Sequence, residues 1–174
     1  MIEQTKKQIF YDKICFDKFI FHFFFSEENK MILSPFDKNV FFKLKDYIIS
    51  NKIHSKKELL SKYFSNIKID FSEFKIDLDF FASTKFQKEV WTKCRELRNI
   101  GTITYSQFSN EFKLGSARSI GNALSKNPLP VFVPCHMVVS KQGLGGFMGS
   151  QNPENINLKN KLISFESTTY SKII

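Results

Sequence analysis

The sequence predicts a mixed α/β protein in two parts, and three observations carry that prediction. The first 81 residues hold strand-length runs of β-branched and aromatic residues separated by helical spacings. From residue 82 onward the pattern becomes helix after helix, several opened by a capping signature. The charge shifts at the same place: residues 1–83 hold 14 Lys/Arg against 12 Asp/Glu, whereas residues 84–151 hold 9 against 3. We therefore expect an α/β scaffold domain over residues 1–81 and a functional domain over residues 82–174.

In the first part, Lys6 to Phe25 reads as strand. Apolar residues at Val40, Phe41, Leu44 and Ile48 predict a helix over Phe36–Ile49. The capping box Ser55-Lys56-Lys57-Glu58 predicts another, running to Phe64. Ile67 to Leu78 alternates as a strand does. No catalytic constellation falls in this half, so it reads as scaffold.

In the second part, Thr84-Lys85-Phe86-Gln87 opens a helix whose apolar stripe is Phe86, Val90, Cys94 and Leu97. Cys94 is therefore expected to be a buried core thiol. Gly101 ends that helix, and Thr104-Tyr105-Ser106-Gln107 opens a short one to about Phe112. Gly115 makes a turn, Ser116 can cap, and Ala117 to Lys126 forms the next helix, completing a helix-turn-helix outline. The small residues Ala117, Ser119, Gly121 and Ala123 would let that helix approach a nucleic-acid groove closely, with Arg118 as its long charged projection.

Composition excludes several classes. No apolar run approaches the ~18 residues of a membrane span, and Asp12 and Asp17 interrupt the stretch that a signal peptide would need. Three widely spaced cysteines and three histidines predict neither a disulfide framework nor a zinc site. The expectation is a cytoplasmic protein without metal or cofactor. The net charge of +9 points to a polyanion partner, although a solvated basic surface would account for it equally well.

The chemistry concentrates after Asn127-Pro128, in Pro134-Cys135-His136-Met137-Val138-Val139. A free thiol titrates near ~8.5, so an attacking cysteine needs a base or a positive field beside it. His136 is adjacent, but neighbouring side chains on an extended segment point apart. Coupling would then run through a bridging water or a turn at Pro134.

This segment resembles the active-site signature of the O6-alkylguanine-DNA alkyltransferases, and further blocks do so in the same order. They are Phe86-Gln87-Lys88-Glu89-Val90-Trp91, Gly101-Thr102-Ile103-Thr104-Tyr105, Ala117-Arg118-Ser119-Ile120-Gly121-Asn122-Ala123, and Gly143-Leu144-Gly145-Gly146-Phe147 in a form close to archaeal versions. Lys159 and Glu166, with Leu162 and Ile163 between, resemble the family's last helix. The resemblance covers about half the chain.

The resemblance implies a ribonuclease-H-like N-terminal domain followed by a winged helix-turn-helix-like domain. It implies a monomer that binds double-stranded DNA containing O6-alkylguanine. The helix carrying Ala117, Ser119 and Gly121 would enter the minor groove, and Arg118 would fill the gap left by the extruded base. Tyr105 would crowd the neighbouring phosphate and donate to guanine N3. Gly146 and Phe147 would close over the base, with Val138 also among the substrate-binding residues. Glu166 would orient His136, and His136 would take the Cys135 proton through a water. Asn127 would tie this network together. Cys135 would keep the alkyl group as a thioether, so each molecule would act once.

The sequence departs from the family where arginine usually follows the histidine: Met137 stands there, so an arginine tie between structural elements is expected to be missing. Met148 offers no hydroxyl to O6, and roughly five extra residues fall within Gln151 to Asn157. Three alternatives remain open. They are a non-reacting alkylated-DNA-binding sibling, a helix-turn-helix regulator, and a cysteine hydrolase using Cys135, His136 and Glu166.

Overall fold

The computed structural model describes residues 7–26, 30–33, 47–50, 57–65, 67–76 and 78–170. The chain divides into two compact units, Met1–Phe80 and Phe81–Ile174.

The first unit is built on a hairpin of β1 (Lys7–Phe16) and β2 (Phe19–Ser26), in which Phe16 pairs with Phe19. The turn between them is possible because Asp17 adopts a φ of 54°, a left-handed conformation that Asp tolerates better than most residues. Strand β3 (Lys30–Leu33) continues antiparallel beside β2, and β4 (Tyr47–Ser50) runs parallel to β1. After helix α1 (Lys57–Phe64), β5 (Lys75–Ile76) pairs parallel with β3, giving the order β4-β1-β2-β3-β5. Phe23, Phe24 and Phe25 are buried in succession, so β2 is covered on both faces there. Leu60 and Tyr63 of α1 join this core, with Tyr63 edge-on to Phe71 at 5.2 Å.

Two expectations for this unit are corrected. The helix expected over Phe36–Ile49 lies largely outside the described residues, but its end is strand β4. Parallel pairing with β1 satisfies that backbone and overrides the helical spacing. The strand expected over Ile67–Leu78 is mostly not strand. Phe71–Glu73 is a 3₁₀ turn capped by Asp70, which accepts from the Ser72 N–H at 2.7 Å. Only Lys75–Ile76 pairs, and helix α2 (Leu78–Phe81) follows. The capping box beginning at Ser55 lies outside the described residues.

In the second unit, α3 (Lys85–Glu96) is capped by Thr84, which accepts from the Gln87 N–H at 3.1 Å. Gln87 reaches one residue further back than a reciprocal box requires, accepting from the Ser83 N–H at 2.8 Å. Val90, Trp91, Cys94 and Leu97 are buried, and the Trp91 indole donates to the Ala123 carbonyl at 2.9 Å. Cys94 is thus the core thiol expected, and burial pushes its pKa well up. Helix α4 (Tyr105–Glu111) has the complete Thr104/Gln107 box, and α5 (Ala117–Ser125) is capped by Ser116. The turn between them needs Gly115, where a Cβ would lie 2.6 Å from Ser119 Oγ and 3.1 Å from the Phe86 ring.

Two short strands position the chemistry. β6 (Ile103–Thr104) pairs parallel with β7 (Val138–Val139), setting Ile103 opposite Val138 and Thr104 opposite Val139. That register brings Tyr105, the first residue of α4, beside the segment that carries Cys135. Helix α6 (Pro153–Tyr170) packs on the turn just before β7. No helix among the described residues is long and apolar enough to cross a membrane.

Candidate active site

Cys135–Met137 is a 3₁₀ turn, which corrects the extended segment expected there. The turn follows Pro134 (φ −76°, ψ 60°) and is closed by Met137 N–H donating to the Pro134 carbonyl at 2.9 Å. Cys135 is 5% exposed and His136 fully buried, so neither is a surface group.

Asn127, just past α5, is committed to this turn. Its amide nitrogen donates to Cys135 Sγ and to the Val133 carbonyl, both at 2.9 Å. Its oxygen accepts from the Leu129 N–H, also at 2.9 Å. Burial pushes the Cys135 thiol up to about 11, against the opposing pull of the Asn127 hydrogen bond and the Lys159 charge. Desolvation wins, so the thiol keeps its proton near neutral pH and needs a base to release it.

The next residue in the chain carries an imidazole. His136 Nε2 is 3.1 Å from Glu166 Oε1, with both side chains fully buried. Among the described residues none hydrogen-bonds to His136 Nδ1, which is buried. Glu166 comes from α6, two helical turns after Lys159, so the two share the buried face of that helix. The Lys159 ammonium donates to the carbonyls of Val138 (2.7 Å), Leu144 (2.6 Å) and Gly146 (3.0 Å). It therefore ties β7 to the glycine loop, and its burial brings its pKa down to about 8.

A second cation was not anticipated at all. Arg98, in the 3₁₀ turn that ends α3, donates to Glu166 Oε1 at 2.6 Å and also to the Val131 carbonyl. Arg98 thus links the end of α3 to α6 and to the stretch that precedes Cys135. Lys159 was already among the residues that the family resemblance picked out. Arg98 was not.

Cys135 opens onto a cavity of about 190 Å³. This is close to the ~150 Å³ void known to hold one benzene ring, and so suits a single flat ring system. Of the residues expected to bind substrate, Tyr105, Gly121, Gly146 and Phe147 line it, as does Met148, and they are joined by Gln151, which was not expected. Burial raises the Tyr105 hydroxyl pKa, keeping it a donor. Phe147 and Ser150 exchange backbone hydrogen bonds at 2.9 and 3.0 Å, and Asn155, within the extra residues, donates to the Phe147 carbonyl at 3.2 Å. Asn127, His136 and Glu166 are not part of the lining. Arg118 is exposed at the start of α5, with Ala117 and Ser119 half-buried beside it. Val138 is buried in β7, where its carbonyl is taken by Lys159.

A buried neutral thiol facing a ring-sized cavity, with an imidazole–carboxylate pair behind it, can carry out nucleophilic displacement on a bound planar substrate. Comparison with known proteins points the same way. A family profile described as "6-O-methylguanine DNA methyltransferase, DNA binding domain" matches residues 85–168. The methylated-DNA–protein-cysteine methyltransferase of Metallosphaera sedula is 30% identical over 143 residues, covering 82% of this chain and 84% of that protein. The protein of that name from Sulfurisphaera tokodaii is 31% identical over 115 residues, 66% of this chain and 68% of its own. The crystal structure of the Mycobacterium tuberculosis O6-methylguanine methyltransferase shares the fold at a TM-score of 0.72 and 20% identity, covering 92% of this chain and 94% of that one.

Proposed function

As this chain belongs to the methylated-DNA–protein-cysteine methyltransferase family, we propose that it repairs DNA by direct reversal, moving the alkyl group of O6-alkylguanine onto Cys135 in one stoichiometric step. The single observation that carries this reading is Cys135 itself, held by Asn127 at 2.9 Å and opening onto the ring-sized cavity.

DNA would be engaged by the second unit, acting as a winged helix-turn-helix-like domain, with the first as a ribonuclease-H-like scaffold. Helix α5 enters the minor groove, where Ala117, Ser119 and Gly121 keep its face low. Arg118, exposed at its start, takes the place of the extruded base. The damaged guanine then occupies the cavity between Tyr105 and the Gly146–Phe147 loop. Lys159 holds that loop by its carbonyls, leaving backbone N–H groups to face the base.

The reaction is a displacement. A water carries the Cys135 proton to His136 Nδ1, while Nε2 faces Glu166. The thiolate attacks the alkyl carbon, forming the S–C bond as the C–O6 bond breaks, and the electron pair leaves with guanine. Tyr105 donates to guanine N3 as that charge develops. A thiol that keeps its proton until substrate arrives suits a protein spent by one reaction, because stray electrophiles meet a poor nucleophile. The protein acts as a cytoplasmic monomer.

The test is intact-protein mass after incubation with an oligonucleotide containing O6-methylguanine, beside a Cys135→Ala control. One added methyl group, absent from the control, is expected. Tight binding to the lesion with no mass change would instead identify a non-reacting alkylated-DNA-binding protein.

A further inference from the structure

The proposed chemistry leaves Arg98 without a role, although it sits at the centre of the site's charge. Its side chain is 7% exposed, and its Nη1 lies 2.6 Å from the same Glu166 oxygen that faces His136 Nε2 at 3.1 Å. Its other nitrogen donates to the Val131 carbonyl. Val131 adopts a φ of 77°, a left-handed conformation that a β-branched residue holds only when its surroundings impose it. That residue lies between Asn127 and Cys135, on the stretch that delivers the thiol. One planar guanidinium therefore pins the carboxylate behind the histidine and the backbone leading to the cysteine. Met137, 4% exposed and uncharged, can make no such tie.

We propose that Arg98 is a positioning residue for alkyl transfer. It acts from the end of α3 by locking Glu166 and the Val131 segment in register, so that His136 and Cys135 meet in reacting geometry. This inference rests on the reading of Cys135 as alkyl acceptor. A guanidinium suits the role because its planar fork presents two nitrogens to two acceptors in fixed directions, whereas a lysine keeps the charge but donates from a single atom. Arg98 is not among the residues that line the cavity, and its influence passes through Glu166 and the backbone.

The experiment compares the wild-type protein with Arg98→Lys and Arg98→Gln in single-turnover transfer from O6-methylguanine DNA at saturating concentration. Lesion-DNA affinity and the fraction of molecules that react are measured separately. The expected result is a rate constant lowered by roughly tenfold to a hundredfold in Arg98→Gln, the range typical of lost orienting partners. Arg98→Lys should recover part of that loss, and DNA affinity should stay within about twofold of wild type. A purely structural role would lower the reacting fraction while the folded molecules transferred at the wild-type rate, and that outcome overturns the proposal. Parallel loss of affinity and rate overturns it as well. Should Arg98→Gln fail to fold, Arg98→Lys decides by the same criteria. A wild-type protein that transfers nothing would sink the acceptor reading itself, a result distinct from any of these.

Discussion

The Asn127 amide donates to Cys135 Sγ at 2.9 Å while its oxygen accepts from the Leu129 N–H at the same distance. One short side chain thus spans the segment from the end of α5 to the thiol and uses both ends of its amide. Asn127→Ala would leave the buried Leu129 N–H without its partner, while the Val133 carbonyl would keep the Cys135 N–H at 2.7 Å. One such buried group costs about 1–3 kcal/mol, so the urea midpoint should fall. Removing the hydrogen bond also takes away the first of the influences that lower the thiol pKa. Iodoacetamide should then label Cys135 more slowly than in wild type at any given pH. An unchanged midpoint together with unchanged labelling would mean the amide does not hold this turn.

Two buried groups give stability opposite pH slopes. The Cys135 thiol, raised to about 11 in the fold, keeps its proton where an unfolded thiol, at ~8.5, has lost it. Its contribution is therefore present below ~8.5 and declines as pH rises toward about 11. Cys94, also raised by burial, adds to that decline. Lys159, brought down to about 8 against ~10.4 unfolded, works the other way, and its contribution grows as pH rises through that window. Between ~8.5 and ~10.4, Cys135→Ala should therefore shift the slope of stability against pH upward, and Lys159→Met should shift it downward. Denaturant midpoints across this range check both signs.

Arg118→Ala separates recognition from folding. The side chain is exposed at the start of α5, so its loss should change stability by no more than about 0.5 kcal/mol. If it replaces the extruded base, transfer from duplex lesion DNA should slow by about tenfold or more, as a base-flipping cost of a few kcal/mol is no longer offset. Transfer to Cys135 from a free O6-alkylguanine base should be unaffected. Equal loss with the free base would remove Arg118 from the DNA-binding role.

Gly115→Ala tests the turn between α4 and α5. The new methyl would meet Ser119 Oγ at 2.6 Å and the Phe86 ring at 3.1 Å. Overpacking of this kind costs about 1–3 kcal/mol. Adding Ser119→Ala removes the nearer clash and should restore part of the loss, leaving the share due to Phe86. A double variant no better than the single one would place the strain entirely at the ring.

What the amino-acid sequence determined by itself was whatever depends on neighbours within a few residues. The Thr104/Gln107 box starts α4, the apolar stripe of α3 buries Cys94, and the ordered blocks around Cys135 identify the family. Helix caps and periodicity are short-range, so they survive translation into three dimensions. Strand β4 was misread as helix because its partner, β1, lies about forty residues earlier, and pairing of that kind leaves no local mark. The 3₁₀ turn at Cys135 follows from packing on α6 and from the Asn127 clasp, neither of which the Pro-Cys-His string encodes. Arg98 is the clearest case: it meets Glu166 across 68 residues. Only the tertiary fold could decide that this arginine would lie buried against the carboxylate that faces His136.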